Sequence, residues 1–159
     1  MRTNVRVVED RDAADWAALY TGYRTFYKQP EDLAAVGRTW QWVRGSQHGL
    51  VGLVAVNEQD KPVALANLRW FARPSTGTMG LYLDDLFTAP DARGRGAGRA
   101  LLHRASELAR DGSANVVRWI TAADNAAARH LYDTVAAATP WVTYDMQPAE
   151  VARPASERR

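Results

Sequence analysis

A glycine-rich stretch constrains the fold of this chain more than any other feature. It is Arg93-Gly94-Arg95-Gly96-Ala97-Gly98-Arg99, between a strand-like run at 81–88 and a helix-like run at 100–109. Three glycines in five positions let backbone N–H groups turn inward without Cβ hindrance, and the start of the helix adds free N–H groups and a positive dipole end. The stretch therefore predicts a phosphate-binding loop that joins a strand to a helix.

The spacing excludes two common kinds of phosphate loop. A Walker loop ends in Gly-Lys-Ser/Thr, whereas here Gly98 is followed by arginine and alanine. A dinucleotide fingerprint needs Gly-x-Gly-x-x-Gly, which neither Gly94 nor Gly96 begins, and no acidic residue follows at the ribose-binding distance. What remains is the pattern Arg-x-x-Gly-x-Gly, formed by Arg93, Gly96 and Gly98.

This pattern resembles the acetyl-coenzyme A pyrophosphate loop of the GNAT family of N-acetyltransferases. A second stretch, Asn125-Ala126-Ala127-Ala128-Arg129-His130-Leu131-Tyr132, is similar to the family's Asn-x-x-Ala-x-x-Leu/Phe-Tyr helix. It follows at the usual distance, after an apolar strand-like run at 116–120. The resemblance spans residues 78–146, and the segment 82–87 is similar to the diamine acetyltransferases and to the histone and polyamine acetyltransferase subgroup.

The resemblance implies a mixed α/β (α+β) fold. Its central sheet is expected to be mostly antiparallel, flanked by helices, and splayed where the cofactor strand parts from the next strand. The length of 159 residues suits one domain, which we expect to cover 1–147, with 148–159 as a disordered tail. The residue patterns predict, in order, a strand at 5–9, helices at 12–27 and 30–45, strands at 50–56, 63–71 and 81–88, a helix at 100–109, a strand at 116–121, a helix at 125–135 and a last strand at 141–146.

Composition narrows the possible functions. The chain has no cysteine, which excludes disulfides, thiolate zinc sites and cysteine nucleophiles, and its three histidines lack a ligand spacing, so no metal is expected. A net charge of +2 with scattered arginines is not the basic block typical of nucleic-acid binding. No run reaches the roughly 18 apolar residues of a membrane helix, and the first residues do not resemble a signal peptide. We therefore expect a cytoplasmic protein that binds neither nucleic acid nor membrane.

The resemblance also implies how acetyl-coenzyme A, the expected cosubstrate, is held. The strand segment 86–88 is expected to bind the pantetheine arm, and the glycine-rich loop at 93–99 is expected to bind the pyrophosphate. The second motif, at 125–132, is expected to add further contacts. These cofactor-binding candidates are Leu86, Phe87, Thr88, Arg93, Gly94, Arg95, Gly96, Ala97, Gly98, Arg99, Asn125 and Ala128. Two alternatives stay open: Arg95 and Arg99 are as often simply solvated at a helix start, and Asn125 is also a favoured helix N-cap.

Two adjacent acids, Asp84 and Asp85, are the candidates for the catalytic base. An amine with a pKa of about 10.4 is protonated at neutral pH, so a base must remove a proton before it attacks. Neighbouring strand residues face opposite sides, so both acids enter one site only if the strand carries a bulge, as the family's cofactor strand typically does. In the diamine acetyltransferases the matching acids act as base and amine anchor. The alternative for either one is an ordinary edge or turn carboxylate.

Tyr132 matches the family tyrosine that protonates the departing thiolate, and the alternative is a core aromatic residue with its hydroxyl at the edge. Most members have a glycine after this tyrosine that ends the helix in a left-handed turn. Here the chain continues Asp133-Thr134-Val135. We therefore expect a different exit from this helix.

The acceptor is predicted to be a small cationic primary amine, polyamine-like or lysine-like. The resemblance implies that the two carboxylates lie at the mouth of the thioester site and that the aromatic helix at 12–27 borders the acceptor pocket. The candidate wall residues on that helix are Trp16, Tyr23, Phe26 and Tyr27, of which Tyr23 and Tyr27 join Asp85 as acceptor-binding residues. The alternative for these aromatics is the core. Alternative functions are a protein or peptide lysine acetyltransferase and a non-catalytic acyl-coenzyme A sensor. The resemblance also implies a homodimer.

Overall fold

The computed structural model describes residues 3–150. These residues hold five strands and four helices, with 3-10 turns at Asp10–Asp12, Gln47–Gly49 and Pro90–Ala92. In chain order the elements are β1 (Asn4–Val7), α1 (Ala13–Phe26), α2 (Leu33–Arg44), β2 (Leu50–Val56), β3 (Pro62–Arg73), β4 (Thr78–Thr88), α3 (Ala97–Asp111), β5 (Ala114–Arg118) and α4 (Ala126–Tyr132). The contacts divide the chain after Ala122 into a first unit, which carries β1 to β5 and α1 to α3, and a second unit, which carries α4.

The sheet of the first unit has the strand order β1-β2-β3-β4-β5. The first three pairings are antiparallel and the pairing of β4 with β5 is parallel, which confirms the predicted mixed fold with a mostly antiparallel sheet. In the described residues the pairs between β4 and β5 end at Tyr82 and Arg118, whereas β4 continues to Thr88. The sheet is therefore splayed beyond Tyr82, as expected.

The core follows from the two apolar strands in the middle of the sheet. Residues 53–56 of β2 and 64–68 of β3 are buried, as expected for strands that are covered on both faces. Residues of α1 and α2 pack on these strands in a hydrophobic cluster. Its buried members are Val8, Trp16, Leu19, Val36, Val43, Val54, Val56 and Leu65. Asn67 is the polar exception inside the buried part of β3.

The predicted last strand at 141–146 is wrong. These residues form no strand, and the side chains of Trp141 and Tyr144 are 82% and 91% exposed. The β-rich composition of the segment suggested a strand, but β-propensity depends on a neighbouring strand with which to pair, and none pairs with it in the described chain.

The helix α4 ends earlier than predicted. The helix ends at Tyr132, three residues before the predicted Val135, and Asp133 is its C-cap. Turn hydrogen bonds follow it, from the N–H groups of Thr134 to Leu131 O and of Ala136 to Tyr132 O. This exit needs no glycine after the tyrosine. Of the predicted tail, residues 148–150 have no regular structure and 151–159 lie outside the described residues.

Candidate functional site

A β-bulge in β4 brings the two adjacent acids together. In the pairing of β3 with β4, Asn67 lies opposite Asp85 and Leu68 lies opposite Leu83, so Asp84 is the additional residue. A bulge interrupts the strict alternation of side chains, which is the condition under which both acids enter one site. Both carboxylates accordingly line the same cavity.

This cavity lies within the first unit and has a volume of about 520 Å³. Such a volume suits a small molecule. The helices α1 and α2, the turn before β2, and the strands β2 to β4 all contribute to its wall. The lining residues are Tyr20, Thr39, Trp42, His48, Leu50, Asn67, Arg69, Asp84 and Asp85.

Asp84 is paired with an arginine of the neighbouring strand. Arg69 Nε donates to Asp84 Oδ2 at 2.9 Å and to Oδ1 at 3.1 Å, and the guanidinium carbon of Arg69 lies 4.5 Å from the centre of the Tyr82 ring. Burial raises the pKa of Asp84, and the hydrogen bond and positive charge of Arg69 partly oppose it, so that the pKa stays above the ordinary value. Asp84 is thus a carboxylate with raised basicity whose charge is balanced by Arg69.

Asp85 is held by neutral donors. Asn67 Nδ2 donates to Asp85 Oδ2 at 2.9 Å. The pKa of Asp85 is raised, mainly because the carboxyl is buried and also because of the nearby charge of Asp84. Hydrogen bonds from Asn67 and from the hydroxyls of Tyr23 and Tyr20 lower this pKa in part. Burial and then the charge of Asp85 raise the pKa of Tyr20 to about 12 and also raise the pKa of Tyr23, so both phenols keep their protons at neutral pH.

The pairing with Arg69 predicts how activity depends on pH. A base acts only when it is deprotonated, so if Asp84 is the base, as predicted, its raised pKa places the acid limb of kcat/KM above the ordinary carboxylate range. Arg69→Met removes the influence that lowers this pKa, and the acid limb should move to higher pH. Arg69→Lys keeps the charge and should move it less. A pH–rate profile measures both, and an acid limb that stays in place in Arg69→Met would contradict a role for Asp84 as the base.

The aromatic residues of α1 divide between the core, the cavity and the surface. Trp16 is fully buried in the core, and Tyr20 beside it, at a ring distance of 4.9 Å, lines the cavity. The hydroxyl of Tyr23, which is hydrogen-bonded to Asp85, lies 3.5 Å from the backbone oxygen of Asp84, so Tyr23 packs against the bulge. Tyr27 packs on the Tyr23 ring at 4.8 Å and is 39% exposed. Neither Tyr23 nor Tyr27 lines the cavity, and their binding of the acceptor stays a prediction.

Sequence reasoning missed most of the lining residues, among them Tyr20, Thr39, Trp42, His48 and Asn67. One signal was present: Asn67 interrupts the apolar run 64–68, and a polar residue in a buried strand commonly has a specific role. The remaining lining residues come from several elements of the chain. No local pattern indicates that they meet.

The loop glycines adopt the backbone that a phosphate-binding loop requires. Gly94 and Gly96 have φ of 74° and 85°, in the left-handed region that side chains with a Cβ rarely adopt. Gly96 is the N-cap of α3, and the first helical hydrogen bond runs from Ala100 N–H to Gly96 O at 2.9 Å. The N–H groups at 97–99 precede that bond, as at every helix start, and suit a pyrophosphate.

The arginines of the loop have different surroundings. Arg93 Nε donates to the backbone oxygen of Thr88 at 3.1 Å, and its guanidinium carbon lies 5.7 Å from the centre of the Phe87 ring. Arg93 therefore ties the loop to the end of β4. Arg95 and Arg99 are exposed at the start of α3, where either could approach an anion.

The strand segment predicted to bind the pantetheine arm has one paired edge. Leu86, Phe87 and Thr88 pair with residues of β3, whereas the pairs of β4 with β5 stop at Tyr82 in the described residues. The edge of 86–88 that faces away from β3 thus has backbone groups that can bind an extended ligand. The residues of the loop and the strand segment fit the phosphates and the amide arm of acetyl-coenzyme A.

The second unit carries the second motif on α4. Asn125 is the N-cap of this helix, although its side chain makes no capping hydrogen bond, and Tyr132 is the last helical residue. Asn125, Ala128 and Tyr132 are all half-buried, and their spacing of three and four residues puts them on one face of the helix. The motif residues thus share one surface.

Metal ligands and membrane-spanning helices are two further features that bear on function. Within residues 3–150 no group of three or more acidic or histidine side chains is placed to hold a metal ion. No helix in the same part of the chain has the length and apolar character needed to cross a membrane.

The sequence profile of the "Acetyltransferase (GNAT) family" matches residues 15–135. This chain belongs to the GNAT acetyltransferase family. It is 34% identical over 131 residues to an uncharacterized N-acetyltransferase, YhfO, of Bacillus subtilis (strain 168), a match that covers 82% of this chain and 86% of that protein. As a family member, the protein is an acetyl-coenzyme A-dependent acetyltransferase.

Solved structures agree on the fold of this GNAT protein. A probable acetyltransferase superposes with a TM-score of 0.81 at 19% identity, over 95% of this chain and 100% of that one. A ribosomal-protein-alanine N-acetyltransferase from Brucella melitensis biovar Abortus 2308 gives a TM-score of 0.77 at 22% identity, over 93% and 100%. These likenesses show the fold. The polyamine and histone subgroup, the homodimer and the cytoplasmic location stay predictions.

Proposed function

We propose that this enzyme moves an acetyl group from acetyl-coenzyme A directly to the primary amine of a small cationic acceptor, polyamine-like or lysine-like, which binds in the cavity of the first unit. The observation that carries the proposal is the bulge at Asp84. It puts two adjacent carboxylates of raised pKa, Asp84 and Asp85, in the wall of a cavity of small-molecule size.

Asp84 is the proposed base. Its ion pair with Arg69 favours the ionised form that can accept a proton, and burial keeps its pKa above the ordinary value so that it can hold that proton. Bound acetyl-coenzyme A supplies the acetyl group as a thioester. Asp84 takes one proton from the ammonium group and passes it to solvent, which leaves a neutral amine able to attack.

Tyr132 is the proposed acid. As the new C–N bond forms and the thioester C–S bond breaks, the departing thiolate needs a proton, and a phenol can donate one. The acceptor nitrogen loses its second proton to solvent as the amide forms, and the Tyr132 phenolate takes a proton back from solvent. The balance then closes with one proton on the thiol and one in solvent. Support comes from the position of Tyr132 in the motif and from the helix face that it shares with Asn125 and Ala128.

Asp85 is the proposed anchor for a second positive charge on the acceptor. Arg69 balances the charge of Asp84, whereas the hydrogen-bond partners of Asp85 are the neutral donors Asn67, Tyr23 and Tyr20. The surplus negative charge of the cavity therefore belongs to Asp85. The rings of Tyr20 and Trp42 in the wall can also accept a cation on their faces.

The matched acceptors 1,4-diaminobutane and n-butylamine test this assignment, because they differ in the second ammonium group. A charge-assisted contact contributes about 1.5–3 kcal/mol, so the wild type should prefer the diamine by about tenfold to a hundredfold in kcat/KM. Asp85→Asn should remove most of this preference, and high salt should weaken it. Asp84→Asn should instead lower turnover with both acceptors.

Lysine-containing peptides and anionic or aryl amines belong in the same screen. Acetylation of peptides alone would favour the protein acetyltransferase alternative. Acetylation of anionic or aryl amines alone would overturn the cationic acceptor and point to Arg69 as the group that binds substrate.

A further inference from the structure

Asn67 carries a buried polar atom for which the fold gives no partner. The residue is 1% exposed and lies in β3 among buried apolar side chains, between Ala66 and Leu68. No protein group in residues 3–150 donates to its Oδ1 atom, which is sealed from bulk water. Buried polar atoms in proteins are nearly always paired, so an unpaired one needs a reason.

The orientation of the Asn67 amide follows from its other hydrogen bond. Nδ2 donates to Asp85 Oδ2 at 2.9 Å, and an ionised carboxylate can only accept. The amide oxygen is therefore the atom without a partner. The bulge at Asp84 sets this arrangement, because it brings Asn67 directly opposite Asp85 in the pairing of β3 with β4. Both residues belong to the cavity wall.

We propose that Asn67 Oδ1 and the carboxylate of Asp85 together bind the non-reacting ammonium group of the acceptor, and that Asn67 thereby selects acceptors in which this group is a primary ammonium. This inference rests on the proposed function of the cavity as the site of a cationic acceptor. A primary ammonium has three N–H donors, so it can satisfy both acceptors at once. A dimethylated ammonium has the same charge but one N–H, which leaves one of the two acceptors without a partner.

The polar groups nearest to Asp85 already have partners. Asp84 is engaged by Arg69, and the hydroxyls of Tyr20 and Tyr23 act as donors to Asp85. Because Asn67 belongs to the cavity wall, the cavity is the side from which an ammonium group can approach this residue. Asn67 is then a residue that touches the substrate and also orients Asp85 through Nδ2.

Calorimetry with coenzyme A present, which allows no acetyl transfer, tests the proposal with two dications. These are 1,4-diaminobutane and its N,N,N′,N′-tetramethyl derivative. The wild type should bind the primary diamine at least about tenfold more tightly. Asn67→Leu, of similar volume, should reduce this ratio about fivefold or more.

The outcomes separate the two proposals. If Asn67 only positions Asp85, Asn67→Leu weakens both diamines equally, and an unchanged ratio overturns the present inference while the cationic acceptor stands. If neither diamine binds the wild type, the cationic acceptor and the role of Asn67 both fall.

A wild-type measurement covers the case in which Asn67→Leu fails to fold. The NMR signals of the Asn67 side-chain amide should shift when 1,4-diaminobutane is added to the coenzyme A complex, and much less with the tetramethyl derivative. Equal responses to the two diamines would overturn the inference.

Discussion

Tyr132→Phe should lower turnover by on the order of 10²-fold or more, while the affinity for acetyl-coenzyme A stays nearly unchanged. The substitution removes one oxygen and keeps the ring, so the half-buried packing of Tyr132 on α4 is preserved. A loss of turnover without a loss of binding is what removal of a proton donor produces, because the donor acts in the transition state. Steady-state kinetics and calorimetry with acetyl-coenzyme A measure the two quantities.

Tyr144→Phe is the matched control for this experiment. Tyr144 is in the same unit and is 91% exposed, so loss of its hydroxyl should change neither turnover nor binding. The basic limb of the pH–rate profile should also change in Tyr132→Phe. Unaltered turnover and an unaltered profile would leave Tyr132 with a packing role only.

Gly98→Val should weaken binding of acetyl-coenzyme A by about a hundredfold or more while the fold survives. Gly98 is the second residue of α3, where N–H groups precede the first helical hydrogen bond. A branched side chain there would keep the pyrophosphate away from these donors. Two lost charge-assisted hydrogen bonds at about 1.5 kcal/mol each correspond to roughly a hundredfold in affinity.

The backbone makes Gly98 the informative position of the loop. Gly94 and Gly96 have positive φ, so a substitution at either would strain the loop itself, whereas Gly98 is not among the residues with positive φ. Gly37→Val is a suitable control because Gly37 is an exposed helical glycine, and a Cβ added there would meet no atom within 4 Å. Calorimetry that finds the affinity of Gly98→Val unchanged would refute the assignment of the loop.

The sequence alone determined the features that depend on neighbouring residues. The glycines at 94 and 96 indicated a loop before a helix in which a Cβ would hinder the backbone, and φ at both positions is in the left-handed region that favours glycine. The apolar patterns predicted four helices and six strands. The described residues contain the four helices and five of the strands, with end residues that differ by a few positions. The adjacency of Asp84 and Asp85 identified the pair of acids, together with the condition that the strand carry a bulge.

Tertiary structure alone decided which groups surround these acids. Arg69 pairs with Asp84, Asn67 with Asp85, and Tyr20 approaches from α1 because strand register and helix packing bring distant segments together. A short pattern carries no information on such partners. The segment 141–146 failed as a strand for the same reason, since a strand is defined by its hydrogen bonds to another strand, whereas a helix or a glycine turn is closed by residues a few positions away.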